Sequence, residues 1–353
     1  MSGQIKSVSN RIYNSTVQIT KKQSEFIFEK VKSFPNNTEL SIALIHKGKT
    51  KFIGVKKNND TIKQIKNYQS IFEIGSISKV FTATLLSNFV LDKKLKLEDA
   101  IQDYFCFTIK TNERITFKEL ANHTSGLPRL PSNFNMSSVN KNNPYKYYDS
   151  KKLIEYLTEE IELQKEPGIE YRYSNLGAGI LGYELAQISK STYEDLLIER
   201  IFSKYEMHNS TTQRNKIKNE IVRGLDPSGN ETLNWDFDAL AGGGAILSTT
   251  EDLSKFALAQ FNKKNKELIL TQKPTFKVNE NMSLGLGWHI LNNINGKEIV
   301  WHNGGTGGYS SSMALDLKNK KGIIILSNVS AFNGEMENIE QLCFGLIETL
   351  YIK

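Results

Sequence analysis

The sequence predicts an α+β fold in which a discontinuous sheet lobe carries a mainly helical insertion. Three observations predict it. Strand-like apolar runs cluster near the two ends of the chain. The long middle reads as helices joined by irregular loops. A glycine at position 75 marks the point where the first group of strands gives way to a helix. The expected organisation is one domain over residues 1–353, with a sheet lobe of about 1–80 and 247–353 and a helical lobe of about 81–246.

Residues 1–35 are polar, with a short helical pattern around Phe26, Ile27 and Val31. Residues 40–46 and 52–55 are apolar runs joined across Gly48 and read as a β-hairpin. In 72-FEIGSISKVFTATLL-86, residues 72–74 end an extended segment and Gly75 breaks it. Val80, Phe81, Leu85 and Phe89 then recur at helical spacing. Residues 131–150 are rich in Asn and Ser without apolar period, so a surface excursion is expected. In 241-AGGGAILSTTEDLSKFALA-259 a glycine turn leads into a helix, with Ser248 and Glu251 at capping-box spacing. Strands return at residues 286–291, 299–301, 309–317 and 322–327. The last is nearly all apolar, as for a central strand buried on both faces. The 318–320 corner makes the final two strands a hairpin, and a closing helix spans about 336–351.

The 353 residues suffice for one large domain or two intimate lobes. The net charge of +7 is spread over lysines interleaved with Asn and Glu. That pattern is a solvated surface and not the one-sided basic and aromatic face of a nucleic-acid binder. No apolar run reaches membrane-spanning length. The two cysteines, Cys106 and Cys343, form no C-x-x-C pair, which argues against a cysteine zinc or redox site; whether they bridge stays open. The stretch MSGQIKSVSNRIYNSTV lacks a signal-peptide core. The compartment is therefore either cytoplasmic, or periplasmic or secreted after loss of a leader. His46, His123, His208 and His289 show no metal spacing, and the Gly242–Gly244 run lacks the Gly-Lys-Ser/Thr of a phosphate loop. Neither metal nor organic cofactor is expected.

Ser76 and Lys79 form an S-x-x-K one helical turn apart. The ordinary job of a serine at a helix entrance is N-capping; the alternative is a nucleophile beside a base. The pattern arises about once per two hundred positions by composition alone, and Ser138 with Lys141 repeats it inside the Asn-rich loop. Context separates the two, because only the first opens an apolar helix. Tyr173-Ser174-Asn175 stands where a loop meets another apolar helix, with Asn175 a possible helix cap. His302-Asn303-Gly304-Gly305 comes off a strand, where glycines permit close approach. Together these fit one chemistry. Lys79 serves as base if burial lowers its pKa from about 10.4, and Tyr173 protonates the departing group. The N–H groups of Ser76 and Gly305 hold the oxyanion.

The order S-x-x-K, Y-x-N, (H/K)-x-G resembles the serine β-lactamase and penicillin-binding-protein superfamily, specifically its class C-related branch. So do 122-NHTSGLPRLP-131, 167-PGIEYRYSNLGAGILGYEL-185, 241-AGGGAILSTTEDLSKF-256 and 285-GLGWHI-290. The resemblance runs from about residue 40 to 328. It implies a β-lactamase/transpeptidase-like α/β sandwich with an antiparallel sheet flanked by helices. It also implies Ser76 as the acylated nucleophile, with Lys79 and Tyr173 sharing proton transfer. Asn175 would hold Lys79 and the substrate amide, and His302 with Gly304 would form the edge strand of the pocket. The expected substrate is a small molecule or peptide, with the oligomeric state undetermined. True β-lactamases of the branch usually carry Lys-Thr-Gly in the third motif. His302-Asn303-Gly304 replaces that cation with a mostly neutral group. The expectation is a serine hydrolase of D-amino-acid peptides or small esters, acylated by β-lactams but turning them over poorly. The alternatives are a genuine class C-like β-lactamase, a Ser76–His302 mechanism that makes Lys79 dispensable, and a non-catalytic module that binds penicillin or peptidoglycan peptides. His123 is read as structural. Residues 129–150 and 205–235 set specificity without a readable pattern.

Overall fold

The computed structural model describes residues 8–13, 19–134, 140–217 and 219–351. Ser138 of the second S-x-x-K lies outside them. The described strands are β1 (Ser9–Arg11), β2 (Glu39–His46), β3 (Lys49–Asn58), β4 (Thr61–Ile65), β5 (Phe72–Glu73), β6 (Leu247–Ser248), β7 (Phe276–Asn279), β8 (Met282–Leu284), β9 (His289–Ile294), β10 (Lys297–Gly305), β11 (Ser310–Asp316) and β12 (Lys321–Ser327). Ten of them make one sheet in the order β1-β4-β3-β2-β12-β11-β10-β9-β8-β7, and β5 pairs with β6 separately. The sheet is mixed and not purely antiparallel, because β1 runs parallel to β4. Strands from both ends of the chain meet where β12 pairs with β2.

Side-chain alternation sorts the central strands between two cores. Ile323 and Ile325 of β12 join Ile42 and Leu44 of β2 in one cluster. That cluster lies under α1 (Lys21–Val31) and α9 (Glu337–Thr349). Ile324 and Leu326 join Ala43 and Ile45 in the other, on the side of the helical body. This is why β12 reads as an unbroken apolar run: both faces are covered. The helical body comprises α2 (Ser78–Leu91), α3 (Phe117–Ala121), α4 (Ser150–Glu155), α5 (Asn175–Ser189), α6 (Tyr193–Leu197), α7 (Thr250–Gln260) and α8 (Lys266–Thr271). Helix α2 is buried almost throughout. It tolerates Thr82 and Thr84 because their hydroxyls donate to the carbonyls of Ser78 and Val80 at 3.2 and 2.8 Å.

Several expectations are corrected. Strands β1, β4, β7 and β8, of three to five residues, are too short to stand out in the sequence. The strand expected at 286–291 begins only at His289. The cap of α7 is Thr249, whose hydroxyl accepts the Asp252 N–H at 3.0 Å; Ser248 instead pairs with Phe72 in the small sheet. Of the Asn-rich stretch, residues 135–139 lie outside the described residues; the rest is an exposed loop pinned by Phe134, Tyr145 and Tyr148, which are buried. Their rings pack with centroids 5.0 and 5.4 Å apart, and such anchoring needs no helical or strand period. Cys106 is exposed, Cys343 is buried, and both are free thiols. Among the described residues no helix is long and apolar enough to cross a membrane.

Truncating a fully buried side chain of β12 should test this two-faced core. Ile325→Ala is expected to lower unfolding free energy by about 2–5 kcal/mol, read from chemical denaturation with unchanged slope.

Candidate active site

Strand β5 ends at Glu73, and the backbone turns through Gly75 at φ +51° into a 3-10 turn at Gly75–Ile77 before α2 begins. Neither the turn nor α2 has a side-chain cap, so Ser76 is not an N-cap and its half-buried hydroxyl is free for other partners. One turn on, Lys79 is 2% exposed. Its Nζ lies 3.0 Å from Ser76 Oγ, and it donates to Asn175 Oδ1 at 2.8 Å and to the Gly243 carbonyl at 2.6 Å. No carboxylate pairs with it among the described residues. Burial, and after it the charge of Arg129, holds its pKa well below the usual lysine value. A neutral amine has two protons and one lone pair. In that neutral form the two carbonyl oxygens would take the protons, and the lone pair would face the Ser76 hydroxyl.

Tyr173 completes the trio. Its hydroxyl is hydrogen-bonded to the Ser76 side chain, and burial raises its pKa, so it stays a phenol. The Lys79 amine lies 4.9 Å from the centre of its ring. Ser174, not Asn175, caps α5, its hydroxyl accepting the Gly177 N–H at 2.8 Å. That frees the Asn175 amide to accept from Lys79 and to donate to Tyr145 Oη at 3.3 Å. The turn around residues 122–129 clamps this segment. His123, at φ +60°, accepts the Ser174 N–H on Nδ1 at 3.2 Å, and its ring packs 4.4 Å from that of Tyr173. The Arg129 carbonyl accepts the N–H groups of Asn175 and Leu176 at 3.0 and 3.2 Å. His123 therefore has the structural role expected of it.

Strand β9 pairs with β10 only as far as Trp301, so residues 302–305 pair on one side alone, with β11. Their open edge meets the Gly75–Ile77 turn. A side chain on Gly75 would place its Cβ 2.5 Å from the Gly305 nitrogen, and one on Gly304 would place it 2.0 Å from the Ile74 carbonyl oxygen. Glycine at both positions lets the Gly305 amide lie close to Ser76. The His302 side chain, in contrast, is buried at 1% exposure and does not line the cleft. Its Nδ1–H donates to the Asn303 carbonyl at 2.6 Å. Its ring packs 5.2 Å from His289 and 6.3 Å from Tyr173. Burial, with His289 and Lys79, keeps it neutral. His289 is likewise pushed down to about 4, chiefly by burial, and meets Tyr171 Oη through Nε2 at 2.9 Å.

These groups open onto a cleft of about 860 Å³. Ser76, Tyr173, Asn175, Gly304 and Gly305 line it, with Arg129, Tyr145, Trp235 and Phe332 among its walls. Sequence reasoning missed the Gly243 carbonyl, because backbone acceptors leave no residue-type signal, and missed Tyr145 and Trp235 in the patternless loops. Glu73 was also missed. Its buried carboxyl accepts from the Trp235 N–H and from Asn234 Nδ2, both at 2.8 Å, and ties the wall of the cleft to the strand that leads into Ser76. Burial pushes its pKa up to about 7. Among the described residues no group of three His, Cys, Asp or Glu side chains is placed to hold a metal ion.

A family model described as Beta-lactamase matches residues 31–342. Among curated proteins, Protein flp of Staphylococcus aureus (strain MW2) is 26% identical over 313 residues, covering 82% of this chain and 59% of the relative. A penicillin-binding protein of Bacillus subtilis (strain 168) is 27% identical over 288 residues, covering 73% and 61%. The chain thus spans about three-fifths of the length of these relatives. Among solved structures, an octameric penicillin-binding protein homologue from Pyrococcus abyssi superposes with TM-score 0.75 at 21% identity, over 93% of this chain and 76% of that one. A β-lactamase/D-alanine carboxypeptidase from Pseudomonas syringae superposes with TM-score 0.76 at 20% identity, over 94% and 98%.

The raised pKa of Glu73 has a defined sign. A carboxyl that holds its proton up to about 7 when folded, but ionises near 4.5 when unfolded, contributes stability that is complete below the unfolded value. That contribution is lost as pH rises through the folded one. Glu73→Gln should remove that decline. Denaturation midpoints of wild type and variant, followed from pH 4 to 8, should lie close together at the acid end, where Glu73 is protonated, and separate toward pH 8, where the variant should be the more stable.

Proposed function

The chain belongs to the Beta-lactamase family, and from that premise we propose that it is a serine hydrolase working through an acyl-enzyme on an ester or amide. The single observation that carries this reading is the Lys79 amine, buried without a counter-ion among the described residues, 3.0 Å from Ser76 Oγ. As Oγ attacks the carbonyl carbon, its proton passes to Lys79. The carbonyl oxygen, now anionic, is held by the N–H groups of Ser76 and Gly305; such donors are worth about 3–4 kcal/mol each. Tyr173 gives its proton to the departing oxygen or nitrogen, and Lys79 reprotonates the phenolate. Water then attacks the acyl-enzyme along the reverse proton path.

The substrate we propose is a D-amino-acid peptide or a small ester. The Pseudomonas syringae neighbour, named a D-alanine carboxypeptidase as well as a β-lactamase, supports that class. A buried, neutral His302 presents no cation to a β-lactam carboxylate from β10, so acylation by β-lactams with slow release fits better than efficient turnover. The Ser76–His302 mechanism is disfavoured, because His302 is engaged by the Asn303 carbonyl while Ser76 faces Lys79 and Tyr173. A non-catalytic binding module would have no need of a desolvated amine.

Intact-mass measurement across β-lactams, D-peptides and short esters tests the proposal. Wild type should gain one covalent adduct, and Ser76→Ala none. Lys79→Ala should slow acylation by about 10²–10⁴-fold. His302→Ala should chiefly change substrate choice. Near wild-type acylation in Lys79→Ala would overturn the assignment of the base.

A further inference from the structure

The cleft has an uneven charge. Arg129 and Lys141 line it, and none of its lining residues is Asp or Glu. Arg129 is exposed on the cleft wall with its guanidinium 5.1 Å from the centre of the Tyr173 ring. Its backbone is fixed, since its carbonyl accepts the first two N–H groups of α5 and the neighbouring Pro128 carbonyl accepts from Ser174 Oγ at 2.6 Å. Arg172, Arg200 and Arg214 each pair with a carboxylate at 2.5–3.0 Å. Arg129 has no such partner among the described residues. A guanidinium with five donors, held over the ring of the proposed proton donor and left without an anion among the described residues, is placed to receive one from a ligand.

We infer that Arg129 is the docking cation for an anionic group of the substrate, so that the preferred ester or amide carries a carboxylate. The inference rests on the acyl-enzyme reading and adds the charge class of the substrate to it. Arg129 also acts on Lys79, since its charge is the second cause, after burial, of the lowered lysine pKa. One residue therefore couples recognition to the readiness of the base.

The test uses three esters of matched reactivity: a neutral aryl ester, the same ester with a carboxylate on the leaving group, and one with a carboxylate on the acyl part. Wild type should favour at least one charged ester, with kcat/KM for that ester falling as ionic strength rises. In Arg129→Gln the charged-to-neutral ratio of kcat/KM should drop about ten- to a hundredfold, mainly through KM, and Arg129→Lys should restore much of it. The ascending limb of the pH profile for the neutral ester should move to higher pH in Arg129→Gln, because the amine loses a repelling neighbour. Equal kcat/KM for charged and neutral esters in wild type, or an Arg129→Gln ratio unchanged from wild type, would overturn the inference while leaving the acyl-enzyme intact. Absence of any adduct on Ser76 in wild type would instead remove the reading on which it rests.

Discussion

The structure depends on burying one amine away from any carboxylate of the described residues, which pushes its pKa down. Lys79 is enclosed at the start of α2 with hydrogen-bond acceptors and, among the described residues, no anion. A carboxylate in contact would favour the ammonium form and oppose the role of base proposed for it. The cost of burying it is limited by two oxygens supplied from far along the chain, Asn175 Oδ1 and the Gly243 carbonyl. The fold must therefore bring the starts of α2 and α5 and the turn before β6 to a common point. Packing between α2, α5 and that turn, together with the β5–β6 ladder, does so. The second cation in the neighbourhood, Arg129, pushes in the same direction as burial.

The surrounding elements then act as a frame. The sheet provides a rigid wall with a core on each face, and β10 runs past the end of β9 so that its last residues face the Gly75–Ile77 turn. The three buried imidazoles of His123, His289 and His302 pack around Tyr173 and Tyr171. With their pKa values pushed down, they fill space as neutral rings and do not compete with Lys79 for a proton. Their presence explains how a histidine can occupy the third motif without acting as the base.

Much of this was legible in the sequence where the physics is local. Gly75 before an apolar helix, the double-faced run at residues 322–327 and the closing amphipathic helix each carry their cause within a few residues. Ser76, Lys79, Tyr173, Asn175, Gly304 and Gly305 could be singled out because side-chain type and spacing report on them. Where the cause is distant, the sequence was silent. Nothing local says that His302 points into a buried cluster, that Gly243 offers its carbonyl, or that Phe134, Tyr145 and Tyr148 anchor a polar stretch. The short strands β1, β7 and β8 owe their form to a neighbour, which a one-dimensional pattern does not contain. The shift of a cap from Ser248 to Thr249 is the smaller error of two adjacent hydroxyls with equal claims.

The contact between the nucleophile turn and β10 has a consequence for how such a chain can drift. At Gly75 and Gly304 the space for a side chain is already occupied by main-chain atoms of the facing segment, which cannot swing aside as a flexible side chain would. Even a methyl group would wedge the two segments apart and draw the Gly305 amide away from the oxygen it is placed to hold. Randomised codons at these two positions, under selection for turnover, should return glycine almost alone, while the loop walls a few ångströms away remain open to variation.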